Sequence, residues 1–118
     1  MKIINFEKLE EAVFKFSGDR DWDQFHSIKN LAMALSVESS ELVEIFQWMK
    51  EEDSNKITSD ETKFPKVKDE IADIFIYLIR LSSKLNINLE EAVMEKMKKN
   101  IEKYPVDQFK GSSRKYNE

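Results

Sequence analysis

Four acidic side chains in this chain have a spacing that suits a shared metal ion. Glu38 and Glu41 are three residues apart, and Glu70 and Asp73 repeat the interval after a polar stretch. Helical residues three apart lie about 5–6 Å apart at Cβ, so each pair can hold one cation together. Ligand sets made only of oxygen favour Mg²⁺, Mn²⁺ or Ca²⁺. The spacing therefore predicts an all-carboxylate metal site.

Two predicted helices would position these acids. On the first, residues 27–50, Glu38 falls inside the apolar stripe and Glu41 lies on its shoulder. On the second, residues 65–85, Glu70 lies at the edge of the stripe and Asp73 lies further round. An unpaired buried carboxylate is costly, and no Arg or Lys is expected on these stripes. Packed helices lie about 8–10 Å apart, so both pairs can reach one ion cluster.

Two alternatives apply to the acids. The pattern Glu-x-x-Glu is common on any solvated helix face, and it acquires meaning only through its place in the apolar stripes. Di-iron bundles also use inward carboxylates, but they combine them with Glu-x-x-His pairs. The single histidine, His26, has no glutamate before it at that spacing, so a di-iron site is not expected.

The hydrophobic pattern predicts an all-α, four-helix bundle. Apolar residues recur at helical spacing in four segments, residues 6–16, 27–50, 65–85 and 88–104. Gly18 is expected to end the first helix, and Pro65 to lie in the first turn of the third. Asn88 and Glu91 resemble a capping box for the fourth, which Pro105 should stop. Residues 51–63 are interpreted as a surface loop.

The composition favours one soluble domain spanning residues 1–118, with residues 105–118 as an extended C-terminal tail. The chain has 41% hydrophobic and 36% charged residues, and its two glycines and two prolines favour helices. Without cysteine it can form neither disulfides nor thiolate metal sites. No apolar run approaches a membrane span, and the first residues do not resemble a signal peptide, so a cytoplasmic location is expected. The net charge of −4 argues against binding a nucleic acid polymer.

Five motifs in order resemble the MazG-like all-α NTP pyrophosphohydrolases, most closely the dCTP pyrophosphatase branch. They are RDWDQFH at 20–26, ELVEIFQW at 41–48, DIFIYL at 73–78, the residues Lys96, Met97, Asn100, Tyr104 and Pro105, and the tail pieces KGS at 110–112 and KY at 115–116. The resemblance covers nearly the whole chain. It implies hydrolysis of a nucleoside triphosphate between the α and β phosphates, giving the monophosphate and pyrophosphate, as in house-cleaning of the nucleotide pool.

The resemblance also implies a role for each site residue. Glu38, Glu41, Glu70 and Asp73 would hold Mg²⁺, with Mn²⁺ as the alternative, and Glu41 or Glu44 would take the proton of the attacking water. The catalytic set is thus Glu38, Glu41 and Glu44.

The substrate would meet six other side chains. Trp22, His26, Trp48 and Tyr77 would form the base pocket, while Lys96 and Asn100 would contact phosphate or sugar. Without the resemblance, Trp48 and Tyr77 could equally be core residues, His26 a capping or surface residue, and Lys96 part of a solvated face. The base pocket is expected to favour a pyrimidine.

Apolar residues left over on several helix faces predict a homo-oligomer, a dimer of dimers or a dimer. They are Val43, Phe46, Phe75, Ile79, Met94 and Ile101.

Two other functions compete with this enzyme. A non-catalytic, metal-stabilised interaction module would keep the acids but would not need Trp22, His26, Lys96 or Asn100. A pyrophosphohydrolase of another diphosphate-linked metabolite, such as phosphoribosyl-ATP, would share the acids but not the aromatic segment before the second helix.

Overall fold

Helices make up the whole regular structure of the described chain. The computed structural model describes residues 2–115 and 117, and within them it contains no strand. The helices are α1 (Phe6–Asp19), α2 (Ile28–Phe46), α3 (Glu51–Ser54), α4 (Lys63–Lys84), α5 (Leu89–Lys103) and α6 (Val106–Phe109). Two short 3₁₀ helices lie at Asp23–Phe25 and Ile57–Ser59. The predicted all-α class and its four main helices are confirmed.

The chain divides into two compact units, one through Leu85 and one from Asn86 onward. The prediction of a single domain stays a prediction. In the described part of the chain, no helix combines the length and the apolar character that crossing a membrane requires.

The packing of α2 against α4 is the main helix contact of the first unit. Leu31 of α2 and Ile79 of α4 are fully buried, and Val67 of α4 is buried as well. Late residues of α2 lie beside early residues of α4, since Trp48, just after α2, shares a cavity with Lys63. The two helices therefore run antiparallel. Ile79 was predicted to stay exposed for a subunit interface. It instead belongs to this core, where neighbouring helices bury it.

The first helix ends later than its pattern predicts. Asn5 caps its start by accepting the backbone N–H of Lys8, and the helix continues to Asp19 instead of ending near Phe16. Gly18 therefore lies inside the helix. The left-handed residue that turns the chain is Asp21, with a φ of 52°. Aspartate tolerates this conformation because its short side chain can hydrogen-bond locally.

Residues 51–63 are mostly helical, which corrects the prediction of a plain surface loop. The second helix stops at Phe46, short of Lys50, and Glu51 opens the short α3. Three acids in the first turn of α3 favour it by lying near the positive end of the helix dipole. Asp60 then starts α4, because its carboxylate accepts the backbone N–H groups of Thr62 and Lys63 at 3.0 and 2.8 Å.

The second unit consists of α5 and the segment after it. Asn88 caps α5 by accepting the backbone N–H of Glu91 at 3.0 Å, as the sequence predicts. The tail is not simply extended, since Pro105 is followed by α6. The ring of Phe109 packs edge-on to Tyr104 at a centroid distance of 4.9 Å, which holds this short helix against the end of α5. The predicted tail residue Tyr116 lies outside the described residues.

Candidate functional site

Three of the four predicted metal ligands meet between α2 and α4. Glu38 and Glu41 of α2 and Glu70 of α4 each offer a carboxylate oxygen, and these atoms all lie within 4.8 Å of one another. Glu38 and Glu41 share one face of α2 because they are three residues apart. The antiparallel packing brings Glu70 opposite them. A cation at this acid cluster would have three carboxylates from two helices within reach.

The acid cluster is short of positive charge. Burial, together with the adjoining Glu70, Glu41 and Asp73, raises the pKa of Glu38 from 4.5 to about 7. The Glu38 carboxyl lowers the pKa of Glu70, but burial together with Glu41 and Asp73 outweighs this, so the pKa of Glu70 is also raised. The Oε2 atoms of Glu38 and Glu70 are buried without a hydrogen-bond partner. Buried oxygens in this state fit a divalent cation of the Mg²⁺ or Mn²⁺ type.

Asp73 and Glu44 flank the acid cluster on opposite sides. Asp73 is not among the three residues whose oxygens converge, but it lines a cavity together with Glu38, and its charge raises the pKa of that carboxyl. Glu44 lines a second cavity together with Glu41 and Glu70. Each of the five predicted acids therefore lines one of these two cavities.

An aromatic cavity of about 290 Å³ adjoins the acids at Glu38 and Asp73. Its other lining residues are Val13, Phe16, Ser17, Trp22, His26, Ile76, Tyr77 and Arg80. The Trp22 ring lies edge-on to Phe16 at 5.4 Å and to His26 at 6.5 Å between centroids. Burial, and then the charges of Glu38, Asp73 and Glu41, raise the pKa of Tyr77, so its hydroxyl stays neutral.

Trp48 is separated from the other predicted base-pocket residues. Its side chain is 91% exposed, and it lines the cavity on the far side of the acid cluster. The structure thus brings together Trp22, His26 and Tyr77, while Trp48 lies near Met49 and Lys50 at the end of α2. Trp48 follows Glu38 by ten residues, so it lies beyond the acid cluster at the far end of α2.

Arg80 is a residue of this site that the sequence analysis missed. The expectation that no cation lies on the helix stripes is wrong, because Arg80 of α4 is only 2% exposed. Its Nη2 donates to Asp23 Oδ1 at 2.6 Å and to His26 Nδ1 at 3.2 Å. Its guanidinium also lies over the Phe14 ring at 4.9 Å. The sequence could have indicated this position, because Arg80 follows Asp73 by seven residues and therefore shares its helix face.

The contact with Arg80 sets the protonation of His26. An arginine can only donate, so Nδ1 of His26 accepts and the proton of the neutral ring lies on Nε2. Burial and the charge of Arg80 lower the pKa of His26, and the opposing effect of Asp23 is smaller. Lys84 also donates to the backbone carbonyl of His26. The neutral ring therefore has an N–H donor at Nε2, and His26 lines the aromatic cavity.

A larger, lysine-lined cavity of about 870 Å³ lies on the other side of the acid cluster. Acidic and basic side chains line it together: Glu41, Glu44, Asp53, Asp69, Glu70, Lys50, Lys63 and Lys66. We call it the lysine cavity. Three of the predicted acids and three lysines thus line one cavity.

Lys96 and Asn100 both lie on α5, in the second unit, four residues apart on one helix face. Lys96 is exposed and Asn100 is half-buried. Their contact with substrate stays a prediction.

Comparison with known proteins relates this site to a family. The model of the MazG-like family matches residues 33–118. The dCTP pyrophosphatase 1 of Bos taurus is 38% identical over 110 residues, and that of Homo sapiens is 36% identical over 112. These alignments cover 93% and 95% of this chain, but the chain spans only 65% and 66% of those relatives.

A solved structure is similar over almost its whole length. A pyrophosphatase from Archaeoglobus fulgidus superposes with a TM-score of 0.78 at 40% identity, covering 89% of this chain and 96% of that one. The family match includes most of α2, all of α4 and every acid of the site. This chain belongs to the MazG-like family.

Proposed function

We propose that this chain is a Mg²⁺-dependent nucleoside triphosphate pyrophosphohydrolase that releases a nucleoside monophosphate and pyrophosphate. The observation that carries the proposal is the acid cluster, whose buried, unpartnered oxygens on Glu38 and Glu70 lie beside an aromatic cavity. The relatives named dCTP pyrophosphatase 1 and the archaeal pyrophosphatase support the same reaction class.

Glu38, Glu41 and Glu70 would hold the metal, with Asp73 completing the set from the side of the aromatic cavity. Bound Mg²⁺ or Mn²⁺ would offset the charge of the triphosphate and lower the pKa of a water molecule. The raised pKa of Glu38 implies that the cation competes with a proton for this carboxyl.

Glu44 or Glu41 would accept the proton of the attacking water. The water oxygen forms a bond to the α-phosphorus, the bridging oxygen leaves with pyrophosphate, and the proton passes to the carboxylate. Glu44 suits this role because it lines the lysine cavity beside the acid cluster without being one of the three converging acids.

The aromatic cavity would hold the base. Trp22 and Tyr77 offer flat faces, and the Nε2–H of His26 can donate to a ring nitrogen or carbonyl oxygen. Cytosine presents both kinds of acceptor, and the mammalian relatives are named for dCTP, so a pyrimidine deoxynucleotide is the preferred substrate. Lys96 and Asn100 of α5 would contact phosphate or sugar.

The enzyme would act as a homo-oligomer, a dimer of dimers or a dimer. Large apolar side chains remain exposed on the described helices, including Val43 at 59%, Met94 at 58% and Ile101 at 66%. Apolar surface of this kind is typical of subunit interfaces. House-cleaning of the nucleotide pool in the cytoplasm is the role that fits such an activity.

The test is a panel of canonical and modified (d)NTPs with Mg²⁺, scoring pyrophosphate against phosphate. We expect pyrophosphate and monophosphate in equal amounts, no turnover in EDTA, and most turnover lost in Glu38→Gln and Asp73→Asn variants that keep their helical circular dichroism. Metal binding with no turnover of any triphosphate would instead indicate the metal-stabilised interaction module.

A further inference from the structure

One face of α4 carries six functional side chains in a row. They recur at alternating intervals of three and four residues and therefore share one side of the helix, in the order Lys63, Lys66, Glu70, Asp73, Tyr77 and Arg80. At a rise of 1.5 Å per residue, Lys66 lies about 6 Å and Lys63 about 10 Å from Glu70 along the axis. Tyr77 lies about 10 Å from Glu70 in the opposite direction. The row thus runs from cations through acids to aromatics.

The two cavities follow the same order. The aromatic cavity meets the acids at Glu38 and Asp73, whereas the lysine cavity meets them at Glu41 and Glu70. The acid cluster therefore separates a site for a flat ring from a site with ammonium groups. A nucleotide has the same sequence of parts, because its α-phosphate lies between the base and the terminal phosphates.

Lys63 and Lys66, the two lysines of this face, contribute little to holding the described fold together. Neither Lys63 nor Lys66 forms an ion pair within 4.0 Å of a described carboxylate. The carboxylate of Asp60 accepts hydrogen bonds from the backbone N–H groups of Lys63 and Thr62. These bonds, and then the charges of both lysines, lower the pKa of Asp60. Their ammonium groups can therefore bind an anion, which a lysine does as a point charge.

We propose that Lys63 and Lys66 form the subsite for the terminal β and γ phosphates, which leave together as pyrophosphate. The proposal rests on the proposed function and adds a direction to it: the base lies toward Tyr77 and the polyphosphate toward Lys63. Lys50 is a third lysine at the same cavity, which Asp53 and Asp69 also line. The subsite would draw pyrophosphate away from the acids once the bond to the α-phosphorus breaks.

The experiment measures product inhibition in Lys63→Gln, Lys66→Gln and the double variant, using pyrophosphate and dCMP as inhibitors of Mg²⁺-dependent dCTP hydrolysis. Loss of either lysine should weaken inhibition by pyrophosphate about fivefold, and loss of both should weaken it about 10–30-fold, as expected for exposed ion pairs. The KM for dCTP should rise in parallel, whereas inhibition by dCMP should stay within about twofold of the wild type.

The matched control is Lys8→Gln with Lys68→Gln, which changes the net charge equally. Lys68 lies on α4 two residues from Lys66, but it faces another cavity and its ammonium lies 5.7 Å from the Phe64 ring centroid. Pyrophosphate and dCMP should inhibit this control variant as strongly as they inhibit the wild type. Equal losses in the control, an unchanged pyrophosphate inhibition in the double variant, or an equal loss of dCMP inhibition would each overturn the proposal.

Failure of the proposed function gives a different result. If wild-type protein hydrolyses no triphosphate, the enzyme assignment falls, and calorimetric titration with Mg²⁺-pyrophosphate then tests the subsite alone. Binding that the double lysine variant loses, and the control keeps, supports the subsite. Binding that is absent from wild type, or equal in the double variant, overturns it.

Discussion

The ion pair between Asp23 and Arg80 should stabilise the fold far more than the only other ion pair formed within the described residues. Both pairs join an aspartate to a cation at short range, 2.6 Å for Asp23–Arg80 and 2.8 Å for Asp19–Lys15. Their surroundings differ, because the Arg80 side chain is 3% exposed and that of Lys15 is 77% exposed. The same change, Asp→Asn, can therefore be made in a buried and an exposed context.

The magnitude follows from the burial of the cation. Removing one partner of a fully buried pair costs about 3–5 kcal/mol, because a charge is left without compensation. The Asp23 side chain is 55% exposed, so water recovers part of this loss, and the amide of Asn still accepts a hydrogen bond. We expect Asp23→Asn to cost about 1.5–3 kcal/mol, the range of hydrogen bonds to charged groups. Asp19→Asn should cost less than about 0.5 kcal/mol, as for exposed pairs spaced i,i+4.

The assay is urea unfolding in EDTA at one protein concentration, followed by circular dichroism, for wild type and both variants. The midpoint should fall clearly for Asp23→Asn and hardly at all for Asp19→Asn, with equal slopes. Arg80 donates hydrogen bonds to both Asp23 and His26. Asp23→Asn should therefore also raise the KM for dCTP. Equal stability losses in the two variants would refute the argument that burial of Arg80 makes the pair strong.

Three further outcomes are expected. The pKa of Glu38 is higher in the folded than in the unfolded chain, so metal-free stability should fall as pH rises from about 4.5 through about 7. Glu38→Gln should therefore stabilise the protein in EDTA by about 1–2 kcal/mol at pH 8 and by much less at pH 5, and an equal melting temperature at pH 8 would contradict this. Trp22→Ala should raise the KM for dCTP about 10–100-fold with little change in kcat, and unchanged steady-state constants would remove Trp22 from the base pocket. Light scattering at micromolar concentration should show a dimer or tetramer, whereas a monomer would refute the interface proposed for the exposed apolar residues.

The sequence by itself determined the helices and the pairing of the acids. Helical periodicity depends only on which residues are apolar, so the four main helices were predictable. The interval of three between Glu38 and Glu41, and between Glu70 and Asp73, fixes each pair to one helix face. Local hydrogen bonds such as the Asn88 cap were also predictable, because donor and acceptor are three residues apart.

Only the tertiary structure decided which side chains meet. The antiparallel packing of α2 and α4 selects Glu70 as the acid that converges with Glu38 and Glu41, and leaves Asp73 beside the aromatic cavity. The burial of Arg80 depends on Asp23, which is 57 residues away in sequence and comes close only in the fold. A periodic pattern carries no information about such distant partners.

The same limit explains why the positions of Trp48 and Ile79 could not be predicted. Both fit a helical stripe, but α2 ends before Trp48, which stays exposed, whereas Ile79 is enclosed by neighbouring helices. Where a helix ends depends on hydrogen bonds outside it, and the burial of a residue depends on what packs against it. Periodicity therefore fixes the face on which a side chain lies, and the packed neighbours decide whether that face becomes core, cavity or surface.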